Sequence, residues 1–536
     1  MYTPSSHEYN NNHDRMRRHP QGVQPLSHLR IAGRHAEEAN NVRRARGLGT
    51  LGALSDELLL QVLHDLDPTT LAKLSCVSKA LYCYSNHGDL WRAAVLSSTS
   101  TSTTTSGADA ASGSWVFDGT WKQTYVALIG KASGNEGLRV DQAGVPDGTT
   151  AEASASTGAA AEAATQASAD APADAASPIE IVVDDLYSDV LYQPFLCSAL
   201  DVDEAWLETE NIDRRSNLTL EEFRSAYEIP NVPVIITDVV ENWQAYRTWD
   251  TDYLRRAFGS SPVIVGDAPM SFDAYMTYCE QQHDEAPLYL FDKEFCDKAP
   301  AMAAEYDVPA YFGEDLFSAL KEKRPDYRWL IYGPTKSGST FHKDPNATSA
   351  WNAIVFGSKK WIMYPPHVMP PGVRQSDDGA DVSCPVSLME WMLAFYDLRD
   401  CEGTAPREAV VRRGEILFVP RGWWHCALNL EDTLAITQNY ASRANLRHVL
   451  NFLKSPHADV LVSGVPDEEC VTLGPRFVEA LEREGHGELL RSIEREEEAV
   501  RHQLAEKRKS SSVLAGCFGG GKRQANGGGF SFGFGL

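Results

Sequence analysis

Short apolar runs separated by turn residues fill the chain from Ile179 to about Lys454, and their periods sort them into elements. Alternating or continuous β-branched and aromatic residues predict strands over 232–237, 262–265, 288–291, 327–333, 350–356, 360–364, 415–419, 425–429 and 434–438. Helical spacing falls at 218–226, 252–258, 272–280 and 388–395, and 381–400 reads as an excursion between two halves. Many short strands with helices mostly on the N-terminal side predict a mainly β domain with some α, spanning 179–455. Its expected form is a double-stranded β-helix, or jelly roll, under a helical cover.

The flanks follow other patterns. Residues 1–50 are polar, with eight arginines against four acids, and read as a disordered basic tail in which Arg43-Arg44-Ala-Arg46 could serve as a nuclear address. Over 51–96 the pattern becomes helical. Ser55 is the expected N-cap, Asp56 and Glu57 complement the helix dipole, and Leu58, Leu59, Val62, Leu63 and Leu66 share one stripe. Pro68 opens a second short helix, and a third follows through Leu81 towards Trp91. Stretches 97–114 and 131–178 are rich in Ser, Thr, Ala, Gly and Asp and are expected to be disordered linkers, since they bury too little apolar surface to offset ordering entropy. Between them the aromatic island 115–130 is too short to fold alone and should dock on a neighbouring domain. In the helical region 456–509, residues 475–509 read as one long charged helix, partly exposed or a dimerisation arm, and 510–536 as a disordered Gly-rich tail.

Charge and composition narrow the function. The net charge is −25, which disfavours nucleic-acid binding through bulk charge and suits a basic protein substrate. No apolar run reaches membrane-spanning length, and the polar N-terminus lacks a secretory h-region. The ten cysteines form no C-x-x-C pair, and Cys76, Cys83 and Cys426 sit in apolar runs as buried thiols, so a reducing compartment is expected.

The candidate chemistry lies in Ser339-Thr-Phe-His-Lys-Asp344 and Gly422-Trp-Trp-His-Cys426. His342, Asp344 and His425 are two imidazoles and one carboxylate, the donor set that binds non-haem iron(II) on one face and leaves positions open. On a strand, His342 and Asp344 would face a barrel interior together while Lys343 points out. His425 follows the buried run Gly414-Glu-Ile-Leu-Phe-Val-Pro420 and its turn. In a chain with 15 histidines an H-x-D triplet alone is weak, so the surrounding sequence has to carry the reading.

That surrounding sequence resembles a JmjC domain. The run from Arg328 through Ser339-Thr-Phe-His-Lys-Asp-Pro-Asn-Ala-Thr-Ser-Ala-Trp-Asn352 to Trp361 is similar to the arginine demethylase and lysyl hydroxylase (phosphatidylserine-receptor-like) branch. Ile229 to Ile236, Pro287 to Asp292 and Gly414 to His425 support it, and the likeness covers roughly 115–130 and 180–455. The three short helices of 51–96 resemble an F-box, as in plant-type proteins that join the two modules. The resemblance implies Fe(II), 2-oxoglutarate as co-substrate and O₂. It places Lys359 on the far carboxylate of 2-oxoglutarate, with Asn352, Ser339, Tyr289 and Thr437 as further polar contacts and Asn439 as an additional candidate. Lys359 and Lys360 alternate in direction, so one of them can face the pocket. Trp351, Trp361, Trp423 and Trp424 are expected in the core or the pocket walls. The implied activity is protein oxygenation, either lysyl hydroxylation or arginine N-demethylation, on a histone tail or another basic protein. The implied compartment is the nucleus, with the cytoplasm as the other possibility. Two further readings stay open: a ubiquitin-ligase receptor that binds a Skp1-type adaptor through 51–96, and a small-molecule cupin.

Overall fold

The computed structural model describes residues 19–25, 43–100, 115–132, 181–266, 268–400 and 403–517. Among the described residues there are fifteen strands. They are β1 (Asp213–Arg215), β2 (Val234–Ile236), β3 (Val263–Val265), β4 (Ala268–Met270), β5 (Leu290–Asp292), β6 (Arg328–Gly333), β7 (Gly338–His342) and β8 (Ser349–Phe356). After them come β9 (Ser358–Tyr364), β10 (Arg374–Gln375), β11 (Val382–Ser383), β12 (Arg407–Arg412), β13 (Ile416–Val419), β14 (Trp424–Asn429) and β15 (Thr433–Tyr440). One sheet has the order β1-β2-β13-β8-β15-β6-β5-β3-β4, a second has the order β12-β9-β14-β7, and β10 and β11 form a ribbon of their own. Of the eight strands β6 to β9 and β12 to β15, four (β6, β8, β13, β15) lie in the larger sheet and four (β7, β9, β12, β14) in the smaller. The chain changes sheet at every step except from β9 to β12, which pair with each other. That is the double-stranded β-helix expected from the pattern.

Both faces of both sheets are covered, which explains the long apolar runs. Ile354, Leu417 and Ala435 from the larger sheet meet Trp361, Met363, Ala409 and Ala427 from the smaller one inside the barrel. On the outer face of the larger sheet, Trp351, Val355 and Ile436 pack under the helical cover. On the outer face of the smaller sheet, Phe341, Ile362 and Tyr364 pack against Leu388, Trp391 and Met392 of the helix Leu388–Phe395. A strand buried on both faces has no polar alternation to show. β8 is accordingly buried at every position but its last.

The N-terminal module has short helices at Asp56–His64, Pro68–Leu74, Lys79–Ser85 and Gly88–Ser100. Ser55 caps the first by accepting from the Leu58 amide, and Asp67 caps the second, which starts at Pro68. The expected single leucine stripe divides in two: Leu59 and Leu63 are buried, whereas Leu58 and Val62 stay 51% and 45% exposed. The island after it carries the helix Trp121–Ala132, and buried Phe117 and Trp121 pack against Tyr278 of the barrel's cover, with Trp115 buried against Trp121.

Several expectations are corrected. Residues 19–25 and 43–50 do not behave as a free tail. Val23 is buried, the Gln24 amide donates to the Leu186 carbonyl at 2.9 Å, and Arg44 is bound to Asp56 at 2.9 Å. Arg44 is therefore committed inside the protein, where the sequence suggested part of an address. The expected helix over 475–509 is two helices, Cys470–Arg483 and Gly487–Cys517, broken where Gly485 takes a φ of +87°. The first buries Leu473, Phe477 and Leu481, and the second buries Leu490 and Ile493, in a core shared with Val449 and Leu450. Cys83 and Cys426 are buried as expected, whereas Cys76 is exposed. The expected linkers and C-terminal tail begin later than expected, because 97–100, 131–132 and 510–517 continue the helices Gly88–Ser100, Trp121–Ala132 and Gly487–Cys517, and the remainder lies outside the described residues. Among the described residues no helix is long and apolar enough to cross a membrane.

Candidate metal and co-substrate site

β7 and β14 run antiparallel with His342 directly opposite His425, and their ring centroids lie 4.2 Å apart. β7 ends at His342, so Asp344 does not share a strand with it, contrary to the simple alternation argument. Asp344 instead caps the turn Pro345–Ala347 with extended angles, φ −59° and ψ 147°, and its carboxylate still comes to the same side as the two rings. One ligand atom from each residue falls within 4.8 Å of the others.

The hydrogen bonds orient all three groups. His342 Nδ1 lies 2.7 Å from the Thr340 carbonyl oxygen, and His425 Nδ1 lies 3.0 Å from the Trp423 carbonyl oxygen. A carbonyl oxygen only accepts, so each Nδ1 carries the proton and each Nε2 keeps a free lone pair. Asp344 Oδ2 is buried without a hydrogen-bond partner. Burial raises the Asp344 carboxyl to about 6, against the opposing pull of His342. Burial, helped by the charge of His342, holds His425 well below the usual imidazole value, so it stays neutral. Two imidazoles turned with Nε2 to one place and a buried carboxylate oxygen without a partner call for a cation. The N₂O donor set fits iron(II) with coordination positions left open.

Deeper in the barrel a second polar group breaks the apolar interior. Lys359 on β9 is 1% exposed, and its Nζ lies 2.5 Å from the Tyr289 hydroxyl. Burial pulls the Lys359 ammonium down to about 7 and pushes the Tyr289 phenol far above its ordinary value. Lys360 faces the other way, onto Glu408 at 2.8 Å and the Thr209 carbonyl at 3.1 Å, which settles which lysine turns inward. Asn352 and Thr437 lie directly opposite each other on β8 and β15. The Thr437 hydroxyl donates to the Trp351 carbonyl at 2.9 Å, while Asn352 Oδ1 is buried and unpartnered. Gly333 leaves room for the tyrosine ring, because a Cβ there would meet Tyr289 Cδ2 at 2.6 Å.

Ser339 needs a bulge. It stands three residues before His342, an odd spacing that on a regular strand puts it on the opposite face. The β7–β14 register shifts between His425 and Ala427, so Ser339 pairs with Ala427 while His342 pairs with His425. An extra residue on one strand thus brings both side chains to one face. Gly338 permits it with a φ of +146° where a Cβ would sit 1.9 Å from the Ala427 carbonyl oxygen.

Two polar groups escaped the sequence reading. Asn429 is fully buried opposite Lys359, gives Nδ2 to Ser337 Oγ at 2.9 Å and to the Gly333 carbonyl at 3.2 Å, and leaves Oδ1 unpartnered. It is four residues after His425 on the same strand, so counting in twos from the histidine reaches it. Trp361, expected as wall, has an unpartnered buried Nε1 and a ring centroid 5.7 Å from that of His425. Asn439 gives Nδ2 to Thr348 Oγ1 at 3.0 Å and also supports the Asp344 carboxylate.

A double-stranded β-helix with two histidines and a carboxylate at one end and a buried lysine inside it defines an iron- and 2-oxoglutarate-dependent oxygenase. Comparison with known proteins agrees. A cupin-like domain family model matches residues 220–445, and an F-box-like model matches residues 56–97. The chain is 42% identical over 481 residues to the arginine-specific demethylase JMJ22 of Arabidopsis thaliana, covering 90% of this chain and 84% of that one. It is 33% identical over 456 residues to the lysine-specific demethylase JMJ21 of the same plant, covering 83% of this chain and 42% of the relative. The bifunctional arginine demethylase and lysyl-hydroxylase psr-1 of Caenorhabditis elegans is 36% identical over 247 residues, 44% of this chain and 62% of its own. The chain belongs to the JmjC family of iron- and 2-oxoglutarate-dependent oxygenases.

Proposed function

We propose that His342, Asp344 and His425 hold Fe(II), and that Lys359, Tyr289, Asn352, Ser339 and Thr437 hold 2-oxoglutarate, in an enzyme that oxidises a protein side chain. The observation that carries this reading is the register match of His342 with His425 beside a buried carboxylate oxygen, Asp344 Oδ2, that lacks a hydrogen-bond partner. Bound iron supplies O₂ activation coupled to decarboxylation of 2-oxoglutarate, so that O₂, 2-oxoglutarate and a substrate C–H give succinate, CO₂ and C–OH. The protein's part is to orient and to exclude water. The Thr340 and Trp423 carbonyls fix the two rings. Lys359 and the Tyr289 hydroxyl replace the hydration a buried carboxylate loses. Trp361 and Met363 close the interior around it.

The net charge of −25 favours a basic substrate, and a histone tail is the class proposed, with nuclear residence following from it. Hydroxylation of a lysine carbon leaves a stable alcohol. Hydroxylation of an arginine N-methyl group releases formaldehyde. Incubating iron-loaded protein with 2-oxoglutarate, O₂ and both peptide types decides between them by mass: a gain of 16 Da means lysyl hydroxylation and a loss of 14 Da demethylation. An unchanged mass with every peptide, alongside succinate release from another protein, would remove histone tails from the proposal.

Lys359 also predicts a pH effect. Because its empty-pocket value is about 7, it is mostly uncharged above that pH, and an arriving carboxylate favours the ammonium form. Binding of 2-oxoglutarate should then take up close to one proton at about pH 8 and weaken as pH rises. Calorimetry in buffers of different ionisation enthalpy reads the proton number, and a value near zero at that pH contradicts the assignment.

A second reading joins this one. Leu58, Val62 and Val77 expose 51%, 45% and 67% of their surface on the F-box-like module, an apolar face suited to a Skp1-type adaptor. Purified adaptor should bind the full chain and lose at least tenfold affinity against Leu58→Asp, with unchanged binding ruling that face out. On the helix Gly487–Cys517, exposed Val500 and Leu504 support a homodimer, which light scattering of the full chain tests by its mass.

A further inference from the structure

Tyr289 is the last residue of the loop 283–289 before β5, and the barrel is not the only thing holding that loop. Arg92, on the helix Gly88–Ser100 of the F-box-like module, gives Nη1 to the Ala286 carbonyl at 2.9 Å and lies 4.0 Å from the Asp284 carboxylate. Trp121, at the start of the docked helix, gives Nε1 to both Asp284 oxygens at 2.8 and 2.9 Å. The Tyr278 hydroxyl donates to Asp284 at 2.6 Å and accepts from the Leu288 amide at 2.8 Å. Tyr275 donates its hydroxyl to the Leu288 carbonyl at 2.9 Å, and the Gly266 amide donates to the Tyr289 carbonyl at 3.2 Å. Leu288, the residue next to Tyr289, is thus tied, through Tyr278 and Asp284, to side chains 196 and 167 positions away.

We propose that Arg92 and Trp121 are positioning residues for the co-substrate, holding the Asp284–Tyr289 loop so that the Tyr289 hydroxyl meets Lys359. The inference rests on the reading of Lys359 and Tyr289 as the 2-oxoglutarate contacts. It makes the F-box-like module a support for one loop of the oxygenase site as well as a docking face. The physical reason is the burial of Asp284, whose side chain is 15% exposed. A carboxylate so enclosed stays in place only while its donors remain, and losing the one cation among them lets the loop move towards water. A loop displacement well under the length of a hydrogen bond is enough to open the contact between Tyr289 and Lys359.

The test is a double-variant cycle on full-length, iron-loaded protein, with 2-oxoglutarate affinity read by anaerobic calorimetry and iron affinity read separately. Arg92→Ala should weaken 2-oxoglutarate binding by roughly five- to tenfold, the loss expected for one or two hydrogen bonds, without changing iron affinity. Arg92→Lys should recover most of that loss. The pair Arg92→Ala with Tyr289→Phe should bind no worse than Tyr289→Phe alone, because both act through one contact. Parent-like binding by Arg92→Ala, additive losses in the pair, or a parallel fall in iron affinity each overturns the proposal. Parent-like binding by Tyr289→Phe would instead overturn the site assignment beneath it.

Discussion

Asp344→Ala strips the iron from this protein and ends its oxygenase turnover, while the metal-free variant unfolds no more readily than the metal-free parent. The first half follows from the donor set. Even outer partners of metal ligands typically cost about 10- to 100-fold in metal affinity, so loss of the only anionic ligand should exceed about 100-fold. The second half follows from burial. Asp344 keeps Oδ2 out of water without a hydrogen bond, and burial raises its carboxyl to about 6. Such a group opposes folding until a cation arrives. Metal analysis of purified protein and thermal melts of the chelated forms check both halves. A variant that retains iron contradicts the assignment, and a marked drop in metal-free stability contradicts the account of the carboxylate.

Lys359→Ala gives the other large effect. Lys359 is the cation expected to meet the far carboxylate of 2-oxoglutarate, in a pocket from which water is excluded and where Tyr289 stands 2.5 Å away. Removing one partner of a buried charge pair costs about 2–5 kcal/mol, or roughly 30- to 4000-fold in affinity. The KM for 2-oxoglutarate should rise by that factor, while iron content stays at the parent level. Lys359→Arg should not restore it, since the longer fork has to displace Tyr289. A KM within twofold of the parent would place the co-substrate elsewhere.

The sequence made some of this legible for physical reasons and hid the rest for others. The runs around β8, β9, β13 and β14 stood out because burial on both faces makes them mostly apolar, with polar residues only where the site or a buried ion pair needs them. β7 was missing from the strand forecast because Gly338-Ser-Thr-Phe-His342 lines a polar site and lacks the apolar signature. β12 was missed as well, since Arg407-Glu-Ala-Val-Val-Arg412 is an edge strand with charged ends. Alternation separated Lys359 from Lys360 but misjudged His342 and Asp344, because the strand stops between them. The position of Ser339 depends on a bulge that only the partner strand creates. Helical periodicity found the leucine stripe at Leu58 to Leu66 without revealing that part of it faces outward. The link from Arg92 to the Tyr289 loop leaves no mark in local pattern, because it joins segments far apart in the chain.

The measurement that tests the central claim most directly is succinate formed from 2-oxoglutarate by full-length protein loaded with iron(II) anaerobically and then given O₂, beside His342→Ala prepared identically. Succinate from the parent, dependent on both iron and O₂ and absent from His342→Ala, is the predicted result. Equal succinate from the two proteins, or none from a parent that demonstrably binds iron, 2-oxoglutarate and a basic protein substrate, would contradict it.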